Sequence, residues 1–224
     1  MQQISNENNM QGANANLHLS VDAIDASSDG ESSDKYSPEN YPDPKPCGLG
    51  KDDIFKLAQK IAQNYNPENK FSTFLQNYGG KLIEETDDIP KRFRYARSCI
   101  IIEGKGNFEI RTRELTERKR MLFDLAHEFG HYYLHYLRLL EQGESISQKM
   151  AAGRCAPNGE EEEQVEFEAN IFAICFLLPE ERFVTKRKDF DNDKQLLANY
   201  FGVSRSTIDS FASYLRKRDD QNAK

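Results

Sequence analysis

No part of this sequence is apolar for long enough to cross a bilayer. The longest apolar run, Ile171–Leu178, is eight residues, whereas a spanning helix needs about 20. The first residues lack the basic start and apolar core of a secretory signal, so the chain reads as a soluble cytoplasmic protein. Cysteine is scarce. Cys47, Cys99, Cys155 and Cys175 have no metal-ligand spacing and no secretory context, which leaves ordinary thiols. Charge of one sign is concentrated rather than lacking. Residues 1–46 hold eight acidic and two basic residues, a net of -6 out of -7 for the 224-residue chain. That stretch is rich in Asn, Gln, Ser, Asp and Pro and has almost no apolar periodicity, so residues 1–48 are expected to be a disordered acidic tail.

Against these absences stands one dense cluster, His127-Glu128-Phe129-Gly130-His131. Two histidines four residues apart share a helical face, so one metal ion can take both imidazoles. The glutamate between them can serve as general base toward a water whose pKa the metal lowers. The surroundings suit a helix from Thr116 to Gln142. The stretch is free of proline, and Leu122, Leu125, Ala126, Phe129 and Leu134 recur at helical spacing. Thr116 is a candidate cap, although Glu117 and Arg118 do not complete a capping box. Gly130 costs about 1 kcal/mol against alanine in a helix interior, which suggests close approach of a substrate or a neighbouring element.

A site of this type needs a third protein ligand and an open fourth position. His135 comes eight residues after His127, rotated by about 80° on a straight helix, and reads as a supporting polar residue. The histidine farther on that a metzincin needs is missing, and His18 lies in the tail. A carboxylate is therefore expected. The segment Val165–Pro179 has an apolar helical stripe of Val165, Ala169, Phe172, Ala173 and Phe176, flanked by Glu163, Glu166 and Glu168. Asn170, four residues after Glu166, could hold a ligand histidine by hydrogen bonding. That favours Glu166, with Glu168 as the alternative.

The pairing of LAHEFGHYYLH with EFEANIFAICFLLP resembles the ImmA/IrrE family of metallo-endopeptidases, and the likeness runs from about Asp52 to Leu215. The resemblance implies an α+β, mainly helical, gluzincin-like domain with zinc on His127, His131 and Glu166 and with Glu128 as base. It also implies a regulated cytoplasmic protease that cuts one or a few proteins, often helix-turn-helix repressors of phages or mobile elements. Cys175-Phe176 and the long stretch between the motif helices depart from the family pattern. PKPCGLG around Cys47 has a superficial likeness to the inhibitory cysteine segment of some secreted proteases, but its flanks and compartment differ.

Elsewhere, Asp52–Asn64 reads as an amphipathic helix and Phe71–Tyr78 as a second. Lys81–Glu85, Ser98–Glu103 and Asn107–Arg111 look like strands of a small sheet whose edge could receive an extended substrate. Residues 143–159 are expected to be a loop. The organisation expected is a tail (1–48), a protease domain (49–185) and a helix-turn-helix-like segment (186–224). In the last, Leu197, Phe201, Val203, Ile208 and Phe211 pack two helices and Ser204 caps the second. Arg205, Ser206, Thr207 and Ser210 are expected on its exposed face. Residues 184–224 carry nine basic and six acidic residues, a slight footprint for DNA contact through residues 194–215. Tyr132 and Tyr133 lie near the motif, but the sequence assigns neither to the oxyanion. Two readings follow: a zinc endopeptidase acting on a protein substrate, or an inactive zinc-containing regulator acting through its helix-turn-helix.

Overall fold

The computed structural model describes residues 35–222 except 68, 85, 87, 114–117 and 154–158. The tail before residue 35 with His18, the Thr116 cap and Cys155 lie outside the described residues.

Four strands form one sheet in the order β1-β3-β2-β4: β1 (Gly80–Ile83), β2 (Ser98–Gly104), β3 (Asn107–Thr112) and β4 (Met150–Gly153). β2 and β3 are an antiparallel hairpin turned at Lys105-Gly106, with Ile100 opposite Ile110. β1 joins β3 in parallel. β4 closes the far side antiparallel to β2, with Ala151 opposite Ile101. The expected 143–159 loop is corrected here. Met150-Ala-Ala-Gly is too short to show an alternating pattern, and its pairing with β2 makes it a strand.

The helices are α1 (Lys51–Ala62), α2 (Phe71–Gln76), α3 (Arg118–Gly130), α4 (Arg138–Glu141), α5 (Glu160–Leu177), α6 (Glu180–Asp189), α7 (Lys194–Phe201) and α8 (Arg205–Asn222). α5 packs against both α1 and α3. It therefore buries Val165, Ala169, Ile171, Phe172, Ala173, Cys175, Phe176 and Leu177 around most of its circumference. Phe129, Phe172 and Phe176 are fully buried at this junction. Pro179, with no N–H to continue the ladder, separates α5 from α6, an element the sequence reading omitted.

The expected single helix over 116–142 is interrupted. Residues His131–Leu137 form a π turn, shown at its end by the Arg138 N–H bonding Tyr133 O, before α4 resumes. A π turn advances less rotation per residue than an α-helix. His135 is therefore carried back toward the face of His127 and His131 rather than away from it.

The C-terminal pair is not separable from the rest. Asp193 caps α7 through bonds from Gln195 N and Leu196 N, and Gly202 takes the left-handed conformation (φ 67°) that turns the chain into α8. Leu197, Phe201, Val203, Ile208 and Phe211 join the same core as α1 and α5. Phe211 and Tyr214 also meet Phe55 of α1.

The expected boundary at residue 48 lies too late. Tyr36, Tyr41 and Cys47 are buried. Tyr36 and Tyr41 form a satellite cluster with Ile89, Phe93, Ala96, Cys99, Ile101 and Ala151 on the second face of the sheet. Prolines at 38, 42, 44 and 46 hid this from composition, because a segment anchored by two aromatic side chains needs no periodicity.

Candidate metal centre

α3 and α5 cross at Gly130. A Cβ there would lie 3.2 Å from Phe172 Cδ1 and 3.4 Å from Ala169 Cα and O. Gly130 has ordinary helical angles (φ -58°, ψ -43°), so space and not conformation requires glycine. The neighbouring element foreseen from the sequence is thus α5, and its approach brings the ligand candidates of the two helices together.

His127 Nε2 lies 3.0 Å from His131 Nε2 and 3.2 Å from Glu166 Oε2, while His131 Nε2 is 3.3 Å from Glu166 Oε1. Three donors held at about 2.0–2.1 Å by one tetrahedral ion stand roughly 3.3–3.4 Å apart. The observed separations, which reach one histidine from each Glu166 oxygen, lie within a few tenths of an ångström of that spacing. Two imidazole nitrogens and a carboxylate are also the borderline-hard donor set that suits zinc. Both histidines are fully buried and Glu166 is partly exposed. Burial alone would raise the Glu166 carboxyl, but the hydrogen bonds and charge of His127 and His131 hold it well below the usual range.

The other ring nitrogens are also occupied. His127 Nδ1 is 3.2 Å from Asn170 Oδ1, the partner expected from the sequence. His131 Nδ1 meets His135 Nδ1 at 3.1 Å, and His135 Nε2 meets Glu168 Oε2 at 2.9 Å. One proton assignment satisfies the chain when His131 Nε2 is kept free as a metal donor. His131 Nδ1–H donates to His135 Nδ1, and His135 Nε2–H donates to Glu168. Burial lowers the His135 pKa to about 4, consistent with the neutral ring this assignment needs. Burial would raise Glu168, yet hydrogen bonds from His135, the Cys47 N–H (2.8 Å) and Gln164 (2.9 Å) bring it to about 2. Glu168, the alternative ligand, therefore stands with His135 and Cys47. The Cys47 thiol belongs to that buried group and is pushed up to about 12, chiefly by burial.

Glu128 is fully buried, and its Oε1 accepts a 2.8 Å hydrogen bond from Ser98 Oγ at the start of β2. One turn earlier, Asp124 takes a two-point bond from Arg97 at 3.0 and 3.1 Å. Ser98 at the start of β2 and Arg97 just before it thus fix two carboxylates on α3. The sequence reading missed Ser98 and Arg97. No spacing links residues 30 positions apart to the motif, and an alternating strand gives no sign of which end meets a helix. Tyr132 and Tyr133 point elsewhere. Tyr132 stacks on Phe108 and accepts from Gly106 N, and Tyr133 packs beside Phe129 and Phe172.

A cavity of about 250 Å³ reaches Glu166. Its walls come from Pro38, Asp43 and Pro44, from Arg92 and Phe93, from Ala152 and Gly153 of β4, and from the start of α5. No helix among the described residues is long and apolar enough to cross a membrane.

Comparison with known proteins adds a family. A solved structure described as a Mycobacterium tuberculosis transcriptional regulator is similar at a TM-score of 0.47 and 17% identity, over 78% of this chain and 47% of that one. The chain thus spans about half the length of that protein. No curated protein matches the sequence. Residues 109–213, which carry both motif helices, match the model of the IrrE N-terminal-like domain. Over those residues, a little under half of the chain, it is similar to the M78 peptidase family through its IrrE N-terminal-like domain.

Proposed function

We propose that this protein is a zinc-dependent endopeptidase that cleaves a protein in the cytoplasm, in the class of helix-turn-helix repressors of phages, mobile elements or stress responses. The observation that carries this reading is the donor cluster of His127, His131 and Glu166, with separations of 3.0, 3.2 and 3.3 Å that use both Glu166 oxygens, beside a buried Glu128. When bound there, zinc would polarise the scissile carbonyl and make a water more acidic. Asn170 and the His135–Glu168 pair hold the two imidazoles in the tautomer that turns Nε2 inward. Ser98 fixes one oxygen of the Glu128 carboxylate. Glu128 then takes a proton from the attacking water as the water oxygen bonds to the carbonyl carbon. It returns that proton to the departing amine as the C–N bond breaks.

The test is Glu128→Gln. The variant should bind one zinc per chain and lose hydrolysis by several orders of magnitude, and it should retain substrate in a pull-down. Full activity in this variant, or a wild-type chain that takes up no zinc, refutes the reading. A subordinate DNA contact has one favouring observation. Arg205, Ser206 and Ser210 are exposed at the start of α8, although Thr207 turns inward and bonds Ser204 at 2.8 Å. Binding of a labelled duplex that weakens steeply with salt and is lost in Arg205→Ala would support it.

A further inference from the structure

Within residues 36–47 the chain first turns on Ser37 O, which accepts from Asn40 N–H and Tyr41 N–H at 3.0 and 2.8 Å, and then meets the outer edge of β4 at Pro42. That edge is where a small sheet offers unpaired backbone groups, and here both outward groups of Ala151 are used. Its N–H donates to Pro42 O at 3.3 Å. Its carbonyl accepts from Arg92 at 3.2 Å, and the same guanidinium donates to Tyr41 O at 2.7 Å and Asp43 Oδ1 at 2.9 Å. Tyr41 inserts its ring into the cluster of Phe93, Ile101 and Ala151 and is 2% exposed. Its hydroxyl donates to Glu103. Pro38, Asp43 and Pro44 continue as a wall of the cavity that reaches Glu166.

The segment meets β4 through the Ala151–Pro42 backbone bond rather than through a strand ladder. Proline has no N–H, so positions 38, 42, 44 and 46 can accept hydrogen bonds but not donate them. An ordinary extended chain on the same edge would add donors that this one lacks. The present occupant is held by the buried rings of Tyr36 and Tyr41, by the Arg92 bridge, and at its end by Cys47, whose N–H donates to Glu168 and whose carbonyl accepts from Arg138, each at 2.8 Å; the ladder beneath it is sparse.

We propose that the outer edge of β4, with Arg92 and the Tyr41 pocket, is the binding surface for an extended protein segment, and that residues 36–47 fill it in cis until such a segment displaces them. The segment it fits is unfolded, places an aromatic side chain in the pocket, and carries a carboxylate two residues later against Arg92. That it is the substrate rests on the proposed peptidase function; that the surface takes a strand does not.

The experiment uses the full chain and a fluorescein-labelled synthetic peptide of residues 36–47 with serine in place of cysteine. Anisotropy should show weak uptake by wild type, whose own segment competes at an effective concentration in the millimolar range. Tyr41→Ala should bind the peptide at least about tenfold more tightly, since loss of a buried aromatic anchor exceeds 1.4 kcal/mol. The amide of Ala151 should exchange faster with solvent in the same variant. The same peptide with alanine in place of Tyr41 should not bind. Where Tyr41→Ala proves unfolded by circular dichroism, Asp43→Ala releases only the exposed end of the Arg92 bridge and should move both readouts in the same direction. A folded variant that takes up no more peptide than wild type, with Ala151 still protected, overturns the proposal. The Glu128→Gln chain should give wild-type affinities, so failed docking and failed hydrolysis are read separately.

Discussion

Gly130→Ala sets two known effects against each other at the helix crossing that builds the candidate metal centre. Alanine at a helical glycine gains about 1 kcal/mol in an unconstrained helix, and the ordinary angles of Gly130 allow that gain in full. The new methyl would sit 3.2 Å from Phe172 Cδ1 and 3.4 Å from two backbone atoms of Ala169. Phe172 is fully buried and stacks on Tyr133 and Phe176 at ring distances of 6.0 Å, so it has little room to yield. Overpacking of this kind costs about 1–3 kcal/mol. The net expectation is a loss of about 0–2 kcal/mol, a fall in Tm of a few degrees for a domain of this size. The displacement is directional. Pushing α5 away moves Glu166 and Asn170 from the two histidines, so metal affinity should fall by more than stability does. Urea melts of the metal-free chain and competition with a chelating dye measure the two separately. A variant that is more stable by about 1 kcal/mol with unchanged affinity would show that the crossing is not tight, and the account of Gly130 would be wrong.

Other consequences are open to simpler measurements. Asn170→Ala should lower zinc affinity about 10–100-fold by freeing the His127 ring; equal affinity in a dye competition would remove Asn170 from the site. Cys47, Cys99 and Cys175 are buried with thiols pushed well up. A Cys155→Ser chain should therefore resist an aromatic disulfide reagent at pH 8 until unfolded, and rapid native reaction would contradict the packing around Cys47. The hydrogen bond from Tyr41 holds the Glu103 carboxyl below its ordinary value of 4.5, with burial opposing and Lys149 assisting. Because the folded value is the lower one, this stabilisation is complete above pH 4.5 and is lost as pH falls through the folded value. Exchange at Ala151 should quicken over that acid range in wild type and show no such step in Glu103→Gln.

Most of the candidate donor cluster was legible because its parts lie on two helices at local spacings. His127, His131, Glu166 and Asn170 each follow from a four-residue step, and the α+β class follows from the strands flanking the motif. Ser98 and Arg97 were not legible, since they meet α3 only through the sheet. β4 was missed because four small residues take their identity from β2 rather than from their own pattern. Composition misread residues 35–48, where proline and acidic residues usually mean disorder, because two tyrosines and one arginine suffice to pin them.

The π turn at His131–Leu137 gives one helix two separate alignments. Residues before it face the metal donors. Toward and beyond its end the contacts are different: Tyr136, within the turn, donates to Gln148 O at 2.9 Å on the approach to β4, and Arg138, just after it, donates to Cys47 O of the covering segment at 2.8 Å. A regular α-helix through the same letters would turn everything beyond it by a large part of the 100° that one residue spans. His135 would leave His131, and Arg138 would leave Cys47. The five-residue motif would read the same, yet the ligand histidine and the wall of the cleft would no longer be in register. The seven residues from His131, the motif's last, to Leu137 thus set how the candidate metal centre and its cover are phased to one another.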